Sequence, residues 1–179
     1  GTYCCPGSEA TSERIERMTE PTYTANEDWV VPLFDAIVSN FQRVGYFDRV
    51  NTHEPKRKPG HGITAAVWFD RLYGVGGISG LAATTGLAIF TGRIYSHMLR
   101  EPQDTIDPVM MKAGAAVMRE FNGNYDFGLH PRVRNVDLLG ETGVQLIMVG
   151  GYLEQAKAMY RVYDITIPVI VNDVFTQAA

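Results

Sequence analysis

The chain has 179 residues, 45% hydrophobic and 20% charged, with a formal net charge of −4 and a pI near 5.5. That is the composition of an ordinary globular chain of about one domain, and it lacks the basic stripe of a dedicated duplex-DNA reader. Its most apolar run, VQLIMVGGYL, is far short of the roughly 20 residues that a membrane-crossing helix needs, and no apolar leader stands at the N-terminus.

The charge is unevenly placed. Residues 1–28 hold Glu9, Glu13, Glu16, Glu20, Glu27 and Asp28 against Arg14 and Arg17, so this short stretch carries the whole excess and the body is balanced. Residues 1–25 are rich in Ser, Thr, Glu and Pro and are expected to form an acidic, extended arm. SERIERM within it has the length of one or two helical turns, and helices that short are marginal in water. Cys4 and Cys5 are adjacent and cannot staple distant parts of a fold. They are expected to be reduced thiols, in keeping with synthesis in a reducing cytoplasm.

Residues 26–179 are expected to form one α+β domain. A helix is predicted over Asp28–Val44, where Val30, Leu33, Phe34, Ile37, Phe41 and Val44 recur at helical spacing. Asn26 or Asp28 is placed to cap it, Pro32 fits its first turn, and Gly45 ends it. Strands follow over Phe47–Thr52 and Ile63–Leu72, read as a long hairpin whose tip, HEPKRKPGHG, carries Lys56, Arg57 and Lys58. The glycine-rich GVGGISG is a connecting loop, and Leu87–Met98 is a strand. Asp107-Pro108 opens a second helix, with Met110, Ala113, Val117 and Phe121 on one face. VRNVDLLG, a strand within VQLIMVGGYL and a long strand from Tyr160 complete the chain. In the last, Tyr163, Ile165, Ile167, Val169 and Val171 alternate with Asp164, Thr166 and Asn172. The expected fold is a mainly antiparallel sheet with one face covered by both helices. Pro168 interrupts the long strand's supply of donors, so that strand is expected at or near a sheet edge.

No catalytic chemistry is marked. GVGGISG fails the GxGxxG pattern at Ser79, and no GK[ST] follows. His53, His61, His97 and His130 have no metal-ligand spacing, and no GxSxG or cysteine–histidine pairing anchors a nucleophile. No cofactor, metal or catalytic residue is expected. Lys56, Arg57 and Lys58 are the one dense cluster of positive charge, suited to phosphates or an acidic partner if they are more than a solvated tip.

Three stretches carry a resemblance. LFDAIVSNFQRVGYFDRVNTHEPKRKPGHGITAAVWFDRL, SGLAATTGLAIFTGRIYSHMLREPQDTIDP and VRNVDLLGETG with YRVYDITIPVIVNDVF resemble the tail terminator (head-tail connector) proteins of long-tailed bacteriophages, in the form common in phages of actinobacteria. The likeness spans most of residues 33–176 and does not extend to the arm. It implies a virion structural protein and not an enzyme. The subunit would belong to a ring, usually a hexamer, that ends the tail tube and joins it to the neck. Its partners would be copies of itself, the tail tube protein and head-neck adaptors, with DNA passing through the lumen unread and no membrane involved. Assembly would take place in the host cytoplasm. Expected contact residues are Lys56, Arg57, Lys58, Pro168, Asn172, Asp173 and Phe175. A related neck or tail-tube-like ring remains a second reading. A small binding module or enzyme beneath the helices is a third, weakened by the lack of clustered titratable groups.

Overall fold

The computed structural model describes residues 27–55, 59, 62–80, 83–99 and 101–176. The expected arm and Lys56, Arg57 and Lys58 lie outside them.

Among the described residues, two α-helices and six strands follow in the order α1 (Val30–Arg43), β1 (Arg49–Asn51), β2 (Ile63–Gly74), β3 (Ala83–His97), α2 (Ile106–Gly123), β4 (Val133–Val136), β5 (Ile147–Gln155) and β6 (Ala158–Thr176). The fold is α+β, with a mainly antiparallel sheet in the order β1-β2-β3-β6-β4 and with β5 also paired to β6. Both helices lie on one face. Leu33, Ile37 and Phe41 of α1 and Met110, Ala113, Val117 and Phe121 of α2 share a core with Ile165, Ile167, Val169 and Val171 of β6. The alternation in β6 and the 3.6-residue repeat in each helix therefore point at the same interior. Gly92 lies mid-sheet beneath α1, where a Cβ would collide with the tip of the Phe41 ring, 2.3 Å from its Cζ, so its missing side chain lets the helix sit close.

Four expectations are corrected. The N-cap of α1 is Trp29, with no side-chain cap bond, and not Asp28, while Asn26 lies outside the described residues. Trp29 is instead buried in the core, so packing outweighs capping there. β1 and β2 are parallel neighbours, not a hairpin. A parallel pair needs a crossover and not a tight turn, and residues 52–62 connect the two strands.

The second face of the sheet is not uniformly polar. Leu87, Ile89 and Ile170 pack under Val75, Ile78 and Val144, and Ala66, Tyr95, Tyr160 and Val162 form another cluster with Trp68. Between these clusters runs a polar band, where Thr91 faces Thr166 and Arg93 faces Asp164 across the β3–β6 ladder.

The fourth correction concerns Pro168. β6 is the central strand of the sheet, and Pro168 is buried, with Ile89 of β3 opposite it. The missing N–H is harmless for a different reason from edge placement. On the other side of β6 the neighbour changes at this residue, because β5 ends its pairing at Thr166 and β4 begins at Val169. The Pro168 carbonyl accepts from Asp137 N–H at 2.8 Å, which shows that the residue's backbone groups face this side. An extended residue aims its N–H and C=O the same way. The absent donor therefore falls in the changeover between strands and leaves the β3 ladder intact.

Candidate interaction surfaces

Where β4 gives way to β5, the loop 137–146 is built around Asp137. Its carboxylate is almost fully buried and accepts the backbone N–H groups of Gly140, Glu141 and Thr142 at 2.7–2.9 Å, together with the Thr142 hydroxyl. Burial alone would raise its pKa. The hydroxyl and three amide donors outweigh that and hold the carboxyl below the usual range. Gly140 and Gly143, with φ of +83° and +95°, supply the turns that aim the amides inward. The loop so fixed displays Leu139, which is 83% exposed.

β5 follows directly. Among the described residues it pairs only with β6, so its outer edge is open. Ile147 and Val149 are exposed on the second face, beside the polar band, and Tyr152 is exposed on the helix face. In the band, the Arg93 guanidinium grips Asp164 through two nitrogens, stacks on Trp68 at 5.3 Å and lies 3.8 Å from Glu54. The Asp164 hydrogen bonds hold the Arg93 pKa above its ordinary value. Burial pushes the neighbouring Tyr95 hydroxyl up to about 12, against the pull of Arg93.

On the helix face, Arg161 organises a cleft of about 390 Å³ lined by Met98, Leu99, Asp104, Asp107 and Tyr152 among others. Its Nε donates to Asp107 at 2.7 Å and its Nη1 to the Gly151 carbonyl at 2.9 Å, and it lies over the Tyr152 and Tyr163 rings. Asp107 was expected to start α2. The N-cap is Thr105, and the Asp107 carboxylate instead ties the first turn of α2 to β6.

A second cleft, of about 420 Å³, opens beside the start of α1. Trp29, Val30, Val31 and Phe34 form one wall, and Phe69, Leu72 and Phe90 the other. Val31 is 57% exposed and Phe69 49%.

Of the expected contact residues, Asn172 and Asp173 lie in the irregularity of the β3–β6 ladder between Val171 and Phe175, and Phe175 pairs with Thr84 just beyond it. Asn172 donates from Nδ2 to the Pro131 carbonyl and from its backbone N to that of Arg132, both at 2.8 Å. Arg132 donates to the Asp173 carbonyl at 3.3 Å, and Asp173 has φ of +54°. Phe175 is exposed beyond this kink, whereas Pro168 is buried inside the chain's own sheet.

The Asp137 lock and the α1 groove were not foreseen. The spacing in DLLGETG, an aspartate with glycine three residues on and threonine five on, carries the first as an Asx-type loop signal. The groove has no sequence signal, because β2 and β3 supply one wall and α1 the other. Among the described residues, no three His, Cys, Asp or Glu side chains are grouped as a metal site would need, and no helix is long and apolar enough to cross a membrane.

No protein-family model matches the chain, and no curated protein matches it. Among solved structures it is similar to a chain in the virion of a native gene transfer agent particle, at 12% identity and a TM-score of 0.49, over 78% of this chain and 94% of that one. It is also similar to a chain in the extended-state sheath/tube terminator of an extracellular contractile injection system, PVC. That match has 8% identity and a TM-score of 0.40, over 84% of this chain and 60% of that one.

Proposed function

We propose that the chain is a structural subunit of a long-tailed phage particle, a tail terminator whose copies close into a ring that ends the tail tube and joins it to the head. The reading rests on the sequence resemblance over residues 33–176 and on a fold that agrees with what the resemblance implies. The observation that carries it furthest is the flank formed by the 137–146 loop and β5. A buried carboxylate with four donors holds a loop whose tip is an exposed leucine. Beside it lies an open strand edge with exposed Ile147 and Val149.

Exposed apolar side chains beside an open strand edge suit a contact with another protein, and a rigid anchor loses little entropy when it docks. A flank that differs from the opposite, β1–β2 flank suits head-to-tail contacts, which close into rings. Lys56, Arg57 and Lys58 would then meet the neck or the DNA, and Asn172, Asp173 and Phe175 an adjoining subunit. The role is structural, with no step of bond chemistry.

Measuring the particle mass of the purified chain by light scattering, and imaging it by negative stain, tests the reading. A ring around an axial channel is expected. A monomer at all concentrations, with no binding to tail tubes, would overturn it. Replacing Lys56, Arg57 and Lys58 by Gln is expected to lower the fraction of heads joined to tails, and unchanged joining would make that loop a solvated tip.

A further inference from the structure

We propose that the apolar groove at the start of α1 seats the chain's own N-terminal arm, anchored by Ile15 and Met18. The groove needs an occupant. Every residue that lines it is apolar, and Val31 and Phe69 stand half exposed across it from each other. Burying such walls is favourable at about 25 cal/mol per Å².

The position of the chain entry names the occupant. The described chain begins at Glu27, whose carbonyl accepts from Val30 N–H at 3.2 Å, and Trp29 and Val30 are already groove wall. The arm is therefore tethered at the rim. Residues 15–23 lie four to twelve links before Glu27, a reach of about 13–40 Å when extended. A tether this short gives an effective concentration of about millimolar, which favours the chain's own arm over that of a second copy.

The arm also has suitable chemistry. In a helical turn, Ile15 and Met18 share one side while Glu13, Glu16, Arg17 and Glu20 take the other. Two apolar anchors three residues apart, with charges facing outward, are what a groove with no polar wall accepts. Met18, unbranched and flexible, suits an irregular gap. Pro21 then ends the turn before the chain reaches α1. Such a short helix is marginal alone, and the groove supplies the burial that it lacks. The proposal does not depend on the ring.

The test uses the full chain. Ile15→Ser with Met18→Ser, which leaves both Arg bonds good trypsin sites, is compared with wild type and with a control outside the anchors, Thr2→Ser with Ala10→Ser. A thermal melt confirms that each is folded. Two signals are read, trypsin cleavage after Arg14 and Arg17 and the fluorescence of an apolar dye. The anchor variant is expected to be cut about tenfold faster, because proteolysis follows the population of the released arm. It should also bind more dye, while the control behaves as wild type. Val31→Asp should speed cleavage in the same way from the groove side. Equal cleavage and dye binding in all variants would overturn the proposal. Wild-type protection that vanishes on about a hundredfold dilution would also overturn it, by assigning the groove to the arm of a second copy.

Discussion

Asp137 shows how one side chain sets a local structure. Its carboxylate is the hub of three amide donors and one hydroxyl. Replacing it by Asn keeps the shape but removes the charge and leaves donors facing donors, at an expected cost of about 1.5–3 kcal/mol, read from the denaturant midpoint. Its folded pKa lies below the usual value. The carboxylate's contribution is therefore complete above the unfolded pKa of about 3.9 and is lost as pH falls through the lower folded value. The stability gap between wild type and Asp137→Asn should narrow once pH drops below about 4. A gap that stayed constant to about pH 2 would show that the charge is not what holds the loop. DLLGETG announces a turn, but the burial that makes the aspartate costly to lose comes from β6 and the core beneath it.

Pro168 and the β5–β6 turn carry the lesson at the level of elements. If the proline lies at a change of partners, Pro168→Ala should alter stability by no more than about 1 kcal/mol, mostly through the unfolded chain. Val169→Pro, one residue on, would delete a donor aimed at β3 and should cost about 3 kcal/mol or more. Comparable losses for the two would refute the changeover. The turn itself has Ala156 and Lys157 at φ of +51° and +62°, where Asn and Gly are at ease. Ala156→Asn with Lys157→Gly is expected to raise stability by about 1 kcal/mol, measured by thermal unfolding. The helices and strands were legible because their periods of 3.6 and 2 appear in consecutive residues. Pairing was not. Periodicity places Pro168 on a row of its strand, but whether the strand is central depends on β3, β4 and β5, which are remote in sequence.

For the whole molecule, the flank of the sheet at the 137–146 loop and β5 exposes Leu139, Ile147 and Val149, and the α1 groove exposes Val31 and Phe69. Leu139→Asp should leave the fold intact, since Leu139 touches little of its own chain, yet reduce assembly between copies, measured as particle mass at a fixed concentration. Unchanged mass would remove Leu139 from the interface and leave the ring to rest on other contacts.

By itself the sequence determined the α+β class, both helices with their buried faces, the six strand segments and the inward row of β6, because each depends on local periodicity and turn chemistry. Only the tertiary structure decided that β1 runs parallel to β2, that β6 is central, that the second face buries two clusters around an Arg93–Asp164 band, and that α1 and the sheet enclose an apolar groove. These features join residues far apart in the chain, and their energy lies in which surfaces meet, which no local pattern encodes.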